Sequence, residues 1–344
     1  MRRRELLKTA ATLSGGVLLG RLDPDDRARL AAALADPGRD VSERVVRLLE
    51  GDAAAAQRHD RELPATRRAQ LAHQHRTMAR RLRLATGRPD HQQRLAVVEA
   101  QAARMAGRLA AFWHHDHAAA TAAYQAALAA AEDAGPHAAT LRAYTLGGIA
   151  FLDAQLGDRH AAVRTINRAV EIGEASQVQG LRCWLASTAA TVHASVADRR
   201  ACDRSLARAD DLYVRPGPGD PAWMDFLGRS FLLQDRAACQ LRTGRPRQAL
   251  ATLADAERLL PAHRLGRHAL ILGYQAQALV ADGQLGDGAH TAADAVDLAS
   301  RIGYQRVVGQ VRALRHGRLH HARALPAVRD LDERLRLASN HEST

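Results

Sequence analysis

Residues 118–134, AAATAAYQAALAAAEDA, decide the class of fold, because they combine high helix propensity with the absence of glycine and proline. The chain of 344 residues is 47% hydrophobic but only 3% aromatic. A core built from Ala and Leu suits closely packed helices, whereas a sheet favours β-branched and aromatic side chains. The composition therefore predicts an all-α protein.

The same stretch belongs to a repeat. Ala120, Tyr124 and Ala127 place a small, a large and a small residue on one face of a helix. Small residues let two helices approach closely, and the large residue fills the groove beside them. Four later triads have the same spacing: Ala162, Ile166 and Ala169; Cys202, Leu206 and Ala209; Ala249, Leu253 and Ala256; Gly288, Ala292 and Ala295.

A predicted turn lies five residues before each triad. Three of these turns hold glycine, at Gly157, Gly244 and Gly283. Glycine at such a position supplies the left-handed conformation that ends a helix. His115 and Ala197 occupy the equivalent positions of the other two units. Each unit is therefore predicted to be a helical hairpin.

This pattern resembles the tetratricopeptide repeat over residues 90–310, in five units. The resemblance implies a right-handed solenoid of tandem antiparallel helix pairs, with extra helices at the N-terminal end. Successive units are 42, 40, 47 and 39 residues apart, against about 34 for the family. HEAT-type repeats have spacings in this range and are the structural alternative. The longest interval contains a Pro/Gly loop at 214–223 (VRPGPGDPAW), which cannot be helix interior.

Four segments follow from these patterns. We predict a junction segment at residues 1–21 and an N-terminal helical segment at residues 22–88. Within the second segment, helices are predicted at about 24–35, 41–50 and 64–85. Residues 89–312 form the repeat array. Residues 313–344 form a C-terminal helix and tail.

The junction segment has two interpretations. Residues 3–8 (RRELLK) look like a twin-arginine export motif, followed by a mildly apolar stretch. However, that stretch holds polar residues and two adjacent glycines, and no small-x-small cleavage site precedes Arg21. We expect a cytoplasmic protein, with export as the alternative. No stretch approaches the ~20 apolar residues of a spanning helix.

The order of several segments is similar to that of actinobacterial regulators of the XRE (helix-turn-helix) type with a long C-terminal tetratricopeptide region. The matching segments are Arg3–Leu7, Leu22–Pro24, Leu95–Gly135, Pro221–Trp223 and Leu241–Arg245. This resemblance implies a sensor or partner-binding module linked to transcription. No helix-turn-helix pattern precedes Arg2 in this sequence, so a truncated DNA-binding regulator is a further alternative.

Charge and cysteine content narrow the functional classes. The formal net charge is +12, and the positive residues are arginines apart from Lys8. These arginines are interspersed with acidic residues and lack aromatic interleaving, so direct nucleic-acid binding is not expected. The three cysteines, Cys183, Cys202 and Cys239, are widely spaced and form no CxxC. Neither a zinc site nor a disulfide framework is therefore predicted. The cysteines are instead predicted to be buried and reduced.

No catalytic or metal-binding motif is present. The sequence contains no GxSxG, P-loop or HExxH motif. His114, His115, Asp116 and His117 form a cluster, but adjacent residues at a turn diverge and are not expected to converge on one ion. We therefore predict a non-enzymatic scaffold with no cofactor and no metal.

The first helices of the hairpins line the concave face of a solenoid. On that face the predicted binding residues are Tyr144, Phe151, Trp184, Ser187, Thr191, Gln234 and Gln277. Their partner is predicted to be a protein or peptide, with a small-molecule signal as the alternative. The sequence is also compatible with an oligomer. Trp184 could instead be core between helices, and Trp223 is expected to pack the Pro/Gly loop onto the array.

Overall fold

The computed structural model describes Asp25 and residues 41–58, 65–215 and 221–340. In these ranges the chain forms fourteen α-helices and short 3-10 turns and no β-strand, which confirms the predicted all-α class. The helix predicted at 24–35 (apart from Asp25) and the twin-arginine-like segment lie outside the described residues. The helices are α1 (Glu43–Arg58), α2 (Ala65–Ala85), α3 (Pro89–Phe112), α4 (His117–Glu132), α5 (Ala138–Leu156), α6 (Arg159–Glu174), α7 (Gln179–Ser195), α8 (Arg199–Leu212), α9 (Arg229–Arg242), α10 (Pro246–Arg258), α11 (Leu265–Ala281), α12 (Leu285–Arg301), α13 (Gln305–His316) and α14 (Pro326–Asn340).

The helices pack in neighbouring pairs. Helices α3 and α4, α5 and α6, α7 and α8, α9 and α10, and α11 and α12 each form a hairpin, and each hairpin contacts the next. All five triads, each with a large or apolar residue between two small ones, are buried, as their spacing predicted. The triads therefore mark the buried face of the second helix of each pair.

All five predicted turn residues have the left-handed backbone conformation. The φ angles of Gly157, Gly244 and Gly283 are 88°, 77° and 89°. His115 and Ala197 have φ angles of 53° and 60°, although a side chain makes this region less favourable. The next residue in three of the turns is aspartate, whose side chain caps the second helix by accepting a hydrogen bond from a backbone N–H three residues on. The capping residues are Asp116, Asp158 and Asp198.

The N-terminal helices are held to the array by ion pairs. Helix α1 extends beyond its predicted end at residue 50 and continues to Arg58. The Arg94 guanidinium on α3 bridges two carboxylates of α1, with nitrogen–oxygen distances of 2.8 Å to Glu43 and 2.5 Å to Glu50. The charge of Arg94 is thus paired within the fold.

The two ends of the array also contact each other. Trp113, at the end of α3, stacks on Tyr304, just before α13, with ring centroids 4.1 Å apart and planes 17° apart. Helix α13 crosses residue 312, where the array was predicted to end, and α14 packs on α12. The contact between Trp113 and Tyr304 brings the first and last helices of the array around a common interior.

The Pro/Gly loop interrupts the helices as predicted. Val214 and Arg215 are non-helical after α8, and a 3-10 turn at Ala222–Met224 leads towards α9. This turn contacts α1, so the loop end is fixed against the N-terminal helices. None of the helices in the described ranges has the length and apolar character that crossing a membrane requires.

Candidate ligand-binding cavity

A cavity of about 200 Å³ lies between the first helices of the five hairpins. Helices α3, α5, α7, α9 and α11 supply most of its wall. The rest comes from Gln57 of α1, Tyr124 of α4, the segment 222–226 and the start of α13. The chain contains four Phe, five Tyr and three Trp. Ten of these twelve rings line this one cavity: Phe112, Tyr124, Tyr144, Phe151, Trp184, Trp223, Phe226, Phe231, Tyr274 and Tyr304. Five of these rings also belong to the buried clusters between the helices, namely Tyr124, Tyr144, Trp184, Tyr274 and Tyr304. The cavity therefore lies where the aromatic part of the core is concentrated.

The structure brings together most of the residues predicted for the concave face. Those in the cavity wall are Tyr144, Phe151, Trp184, Thr191 and Gln234. Ser187 does not line the cavity, but its hydroxyl donates a 2.9 Å hydrogen bond to the Asp235 carboxylate, which does. Gln277 lies apart, in a second depression with Arg242 and Gln310.

Trp184 belongs both to the core and to the cavity wall. Its side chain is buried and part of the cluster between α5, α6 and α7, as the core alternative predicted. Its ring also lies edge-on to Tyr144, with centroids 5.1 Å apart, at the cavity surface. The two interpretations of this residue are therefore compatible.

Trp223 fixes the loop to the helices as expected. Its ring lies 4.3 Å from the Tyr144 ring, and the Tyr144 hydroxyl donates a hydrogen bond of 3.3 Å to the Trp223 carbonyl oxygen. Trp223 also lines the cavity. The loop end thus forms part of the enclosure.

The charged residues of the cavity were not predicted from the sequence. Its wall contains four arginines, Arg104, Arg108, Arg267 and Arg306, and a single carboxylate, Asp235. The sequence does contain one indication of a basic surface on α3. Arg104 and Arg108 are four residues apart and therefore share a helical face. Among so many arginines this spacing does not distinguish an inward-facing residue from a solvated one.

Arg104 is the most deeply buried of these cations, with 7% of its surface exposed. Its Nε donates to the Tyr144 carbonyl oxygen at 3.2 Å, and its guanidinium carbon lies 3.1 Å from the centroid of the Tyr144 ring. No described carboxylate pairs with it, and burial lowers its pKa. Burying an ion costs several kcal/mol, whereas a cation–π contact returns about 2 kcal/mol. The Tyr144 contact therefore leaves much of this charge uncompensated.

Asp235 is held in the cavity wall without an ion pair among the described residues. It accepts hydrogen bonds from the Ser187 hydroxyl at 2.9 Å and from the Gln234 amide nitrogen at 3.4 Å. The nearby Arg267 donates to the Gln234 side-chain oxygen at 2.7 Å. Burial raises the pKa of Asp235 to about 6, against the opposing effect of Arg267 and the Ser187 hydrogen bond. Burial also lowers the pKa of Arg267 to about 10. The charge of the cavity therefore changes in the weakly acidic range.

This pKa predicts a pH-dependent difference between the wild type and Asp235→Asn. Between about pH 4 and 6 the folded protein binds more protons at Asp235 than the unfolded chain, so this group lowers stability as the pH rises through that range. We expect Asp235→Asn, which can still accept from Ser187, to gain about 1–3 kcal/mol relative to the wild type between pH 4.5 and 7. Urea unfolding of both proteins at several pH values measures the difference. A difference that is constant across this range would contradict the assignment.

One other cluster could offer metal ligands. Glu43, Asp90 and His91 each bring a ligand atom within 4.8 Å of the others. Both oxygens of Glu43 already accept hydrogen bonds from Arg94, at 2.9 and 2.8 Å, and these bonds are the main reason that its pKa falls to about 2. Arg94 therefore already neutralises the Glu43 carboxylate, and the cluster forms a contact between α1 and α3. All three cysteines are free and buried, as predicted.

Comparison with known proteins gives no family assignment: no family model matches the chain, and no curated protein sequence matches it. The resemblances to tetratricopeptide repeats and to XRE-type regulators thus remain interpretations of the sequence.

Proposed function

We propose that this chain is a non-enzymatic regulatory binding protein, with a tetratricopeptide-like array of helical hairpins that binds its signal in the central cavity. The observation that carries this proposal is the collection of ten of the twelve aromatic rings around one cavity. Ligand sites combine aromatic walls with a few polar groups that orient the ligand. The arginines and Asp235 are such groups.

The cavity favours a small-molecule signal over the protein or peptide partner expected from the sequence. Its volume of about 200 Å³ is below the about 300–1,000 Å³ of sites for drug-sized ligands. A metabolite fits this space better than a peptide of several residues. The absence of a catalytic motif in the sequence supports a binding role over an enzymatic one.

The link to transcription and the cytoplasmic location rest on the sequence alone. The XRE-type resemblance supports a sensor role, and the reduced, buried cysteines agree with the cytoplasm. Sequencing the genomic DNA upstream of the Met1 codon tests the link. An in-frame helix-turn-helix segment would support it, and an in-frame stop codon followed by a ribosome-binding site would count against a truncated regulator.

Cavity binding is tested by thermal denaturation against a panel of neutral, cationic and anionic metabolites. We expect at least one class to stabilise the wild type, by about 2.7 kcal/mol at 100 times its dissociation constant. Ala222→Phe adds a ring to the wall from the 3-10 turn and should abolish this effect, while Ala222→Ser should retain it. Equal stabilisation of Ala222→Phe and the wild type, or no stabilisation by any class, would refute cavity binding.

A further inference from the structure

We infer that the cavity binds a small organic oxyanion with a flat apolar body, such as an aromatic carboxylate or phosphate ester, and that its acidic group lies against Arg104. This inference rests on the proposed function and specifies the chemical class of the ligand. Three independent properties of the cavity support it: its charge, the shape of its walls and its size.

The charge of the wall favours an anion. Arg104, Arg267 and Arg306 line the wall together with a single carboxylate, Asp235, so positive groups outnumber negative ones there. Arg104 combines 7% exposure with the absence of a described carboxylate partner. Only its Nε donates a hydrogen bond within the described part of the chain, so both terminal nitrogens are available to a ligand. A planar guanidinium with two such nitrogens matches the paired oxygens of a carboxylate or phosphate.

Two further arginines reach the same space from other helices. Arg267 of α11 lies over the Phe231 ring, with its guanidinium carbon 4.5 Å from the centroid. Arg306 of α13 lies 5.2 Å from both the Phe112 and Phe151 rings. Because Arg267 and Arg306 are partly buried, their attraction for an anion is screened less than that of fully exposed charges.

The walls between the arginines favour a flat apolar body. Phe112 and Phe151 meet edge to face with centroids 5.3 Å apart, and Tyr144 lies between Trp184 and Trp223. Rings in such arrangements accept a further flat ring by stacking or edge contact. The volume of about 200 Å³ restricts that body to metabolite size.

Isothermal titration of the full chain with four probes of similar shape tests the inference. Benzoate and phenyl phosphate are the anions, benzamide is the neutral analogue and benzylamine is the cation. We expect the anions to bind at least tenfold more tightly than benzamide, and benzylamine not to bind. The relative affinity of the two anions distinguishes a carboxylate ligand from a phosphate ester.

Arg104→Met tests the position of the acidic group. It keeps an unbranched side chain as long as the stem of arginine and removes the guanidinium group with its charge. We therefore expect the affinity for the anions to fall at least tenfold and that for benzamide to stay unchanged. The matched control is Arg142→Met on the exposed face of α5, which should bind like the wild type. Without ligand, Arg104→Met should melt at the same or a higher temperature than the wild type. A purely structural role of Arg104 would predict a lower melting temperature.

Two results would overturn the inference. One is binding of benzamide or benzylamine as tight as that of the anions, and the other is unchanged anion affinity in Arg104→Met. If a neutral or cationic molecule stabilises the wild type but not Ala222→Phe, the proposed function stands and the anionic ligand class is wrong. If no molecule of any charge binds in the cavity, both are wrong.

Discussion

Replacing Trp113 with alanine is expected to lower the free energy of unfolding by about 3–5 kcal/mol. The Trp113 ring is 8% exposed and stacks on Tyr304, with centroids 4.1 Å apart. The Arg68 guanidinium carbon lies 4.0 Å from its ring centroid. Trp113 therefore joins α2 and α3 to the start of α13, which is distant from them in sequence. Removal of the ring leaves a void that the three helices could fill only by shifting relative to one another.

The same substitution should weaken ligand binding, because Tyr304 forms part of the cavity wall. Urea unfolding followed by far-UV circular dichroism measures the stability, and the titrations with benzoate measure the binding. Leu156→Ala is the control: Leu156 is 51% exposed, so its loss should change stability by no more than about 0.5 kcal/mol. A Trp113→Ala protein as stable as Leu156→Ala would show that the contact between Trp113 and Tyr304 does not hold the array together.

The hairpins could be predicted from the sequence because their determinants are local. A turn residue and a triad that begins five residues later lie within one helical pair, so their spacing alone specifies them. The structure places His115 and Ala197 in the left-handed conformation of the three glycines. This agreement shows that position in the repeat, more than residue type, sets the conformation of these turns.

The closure of the array could not be predicted in the same way. The stacking of Trp113 on Tyr304 joins residues separated by most of the repeat array, and it depends on how each hairpin is rotated relative to the next. No local spacing encodes that rotation. The sequence therefore indicated that the first helices of the hairpins carry the site residues, but not that rings from both ends of the array line one cavity.

The arginines of the cavity were missed for a chemical reason. In a chain with formal net charge +12, an arginine on a helix is expected to be solvated. Arg104 is distinguished by its burial and by the absence of a described acidic partner, and both are properties of the packed structure. The aromatic residues gave a stronger signal, since they are scarce and five of the seven predicted site residues, Tyr144, Phe151 and Trp184 among them, line the cavity.

Tyr124→Ala is expected to lower the free energy of unfolding by about 3–5 kcal/mol, the usual cost of removing a large buried ring. Tyr124 is 1% exposed and is the large residue of the first triad. Its ring lies between two glycines of neighbouring helices: a Cβ atom at Gly107 would be 3.0 Å from the ring, and one at Gly148 would be 3.2 Å from it. The glycines leave space that only this ring fills, so alanine leaves a void between α3, α4 and α5.

Tyr124→Phe separates the ring from the hydroxyl. The hydroxyl donates no hydrogen bond to the described residues, and burial raises its pKa. We therefore expect Tyr124→Phe to retain stability within about 0.5 kcal/mol of the wild type, as measured by urea unfolding. If Tyr124→Phe were as destabilising as Tyr124→Ala, an unrecognised polar contact of the hydroxyl would hold the hairpins together. The first triad has the largest central side chain of the five, so its removal should have the largest effect. If neither substitution lowered the stability, the triads would not be the element that packs the helices of a pair.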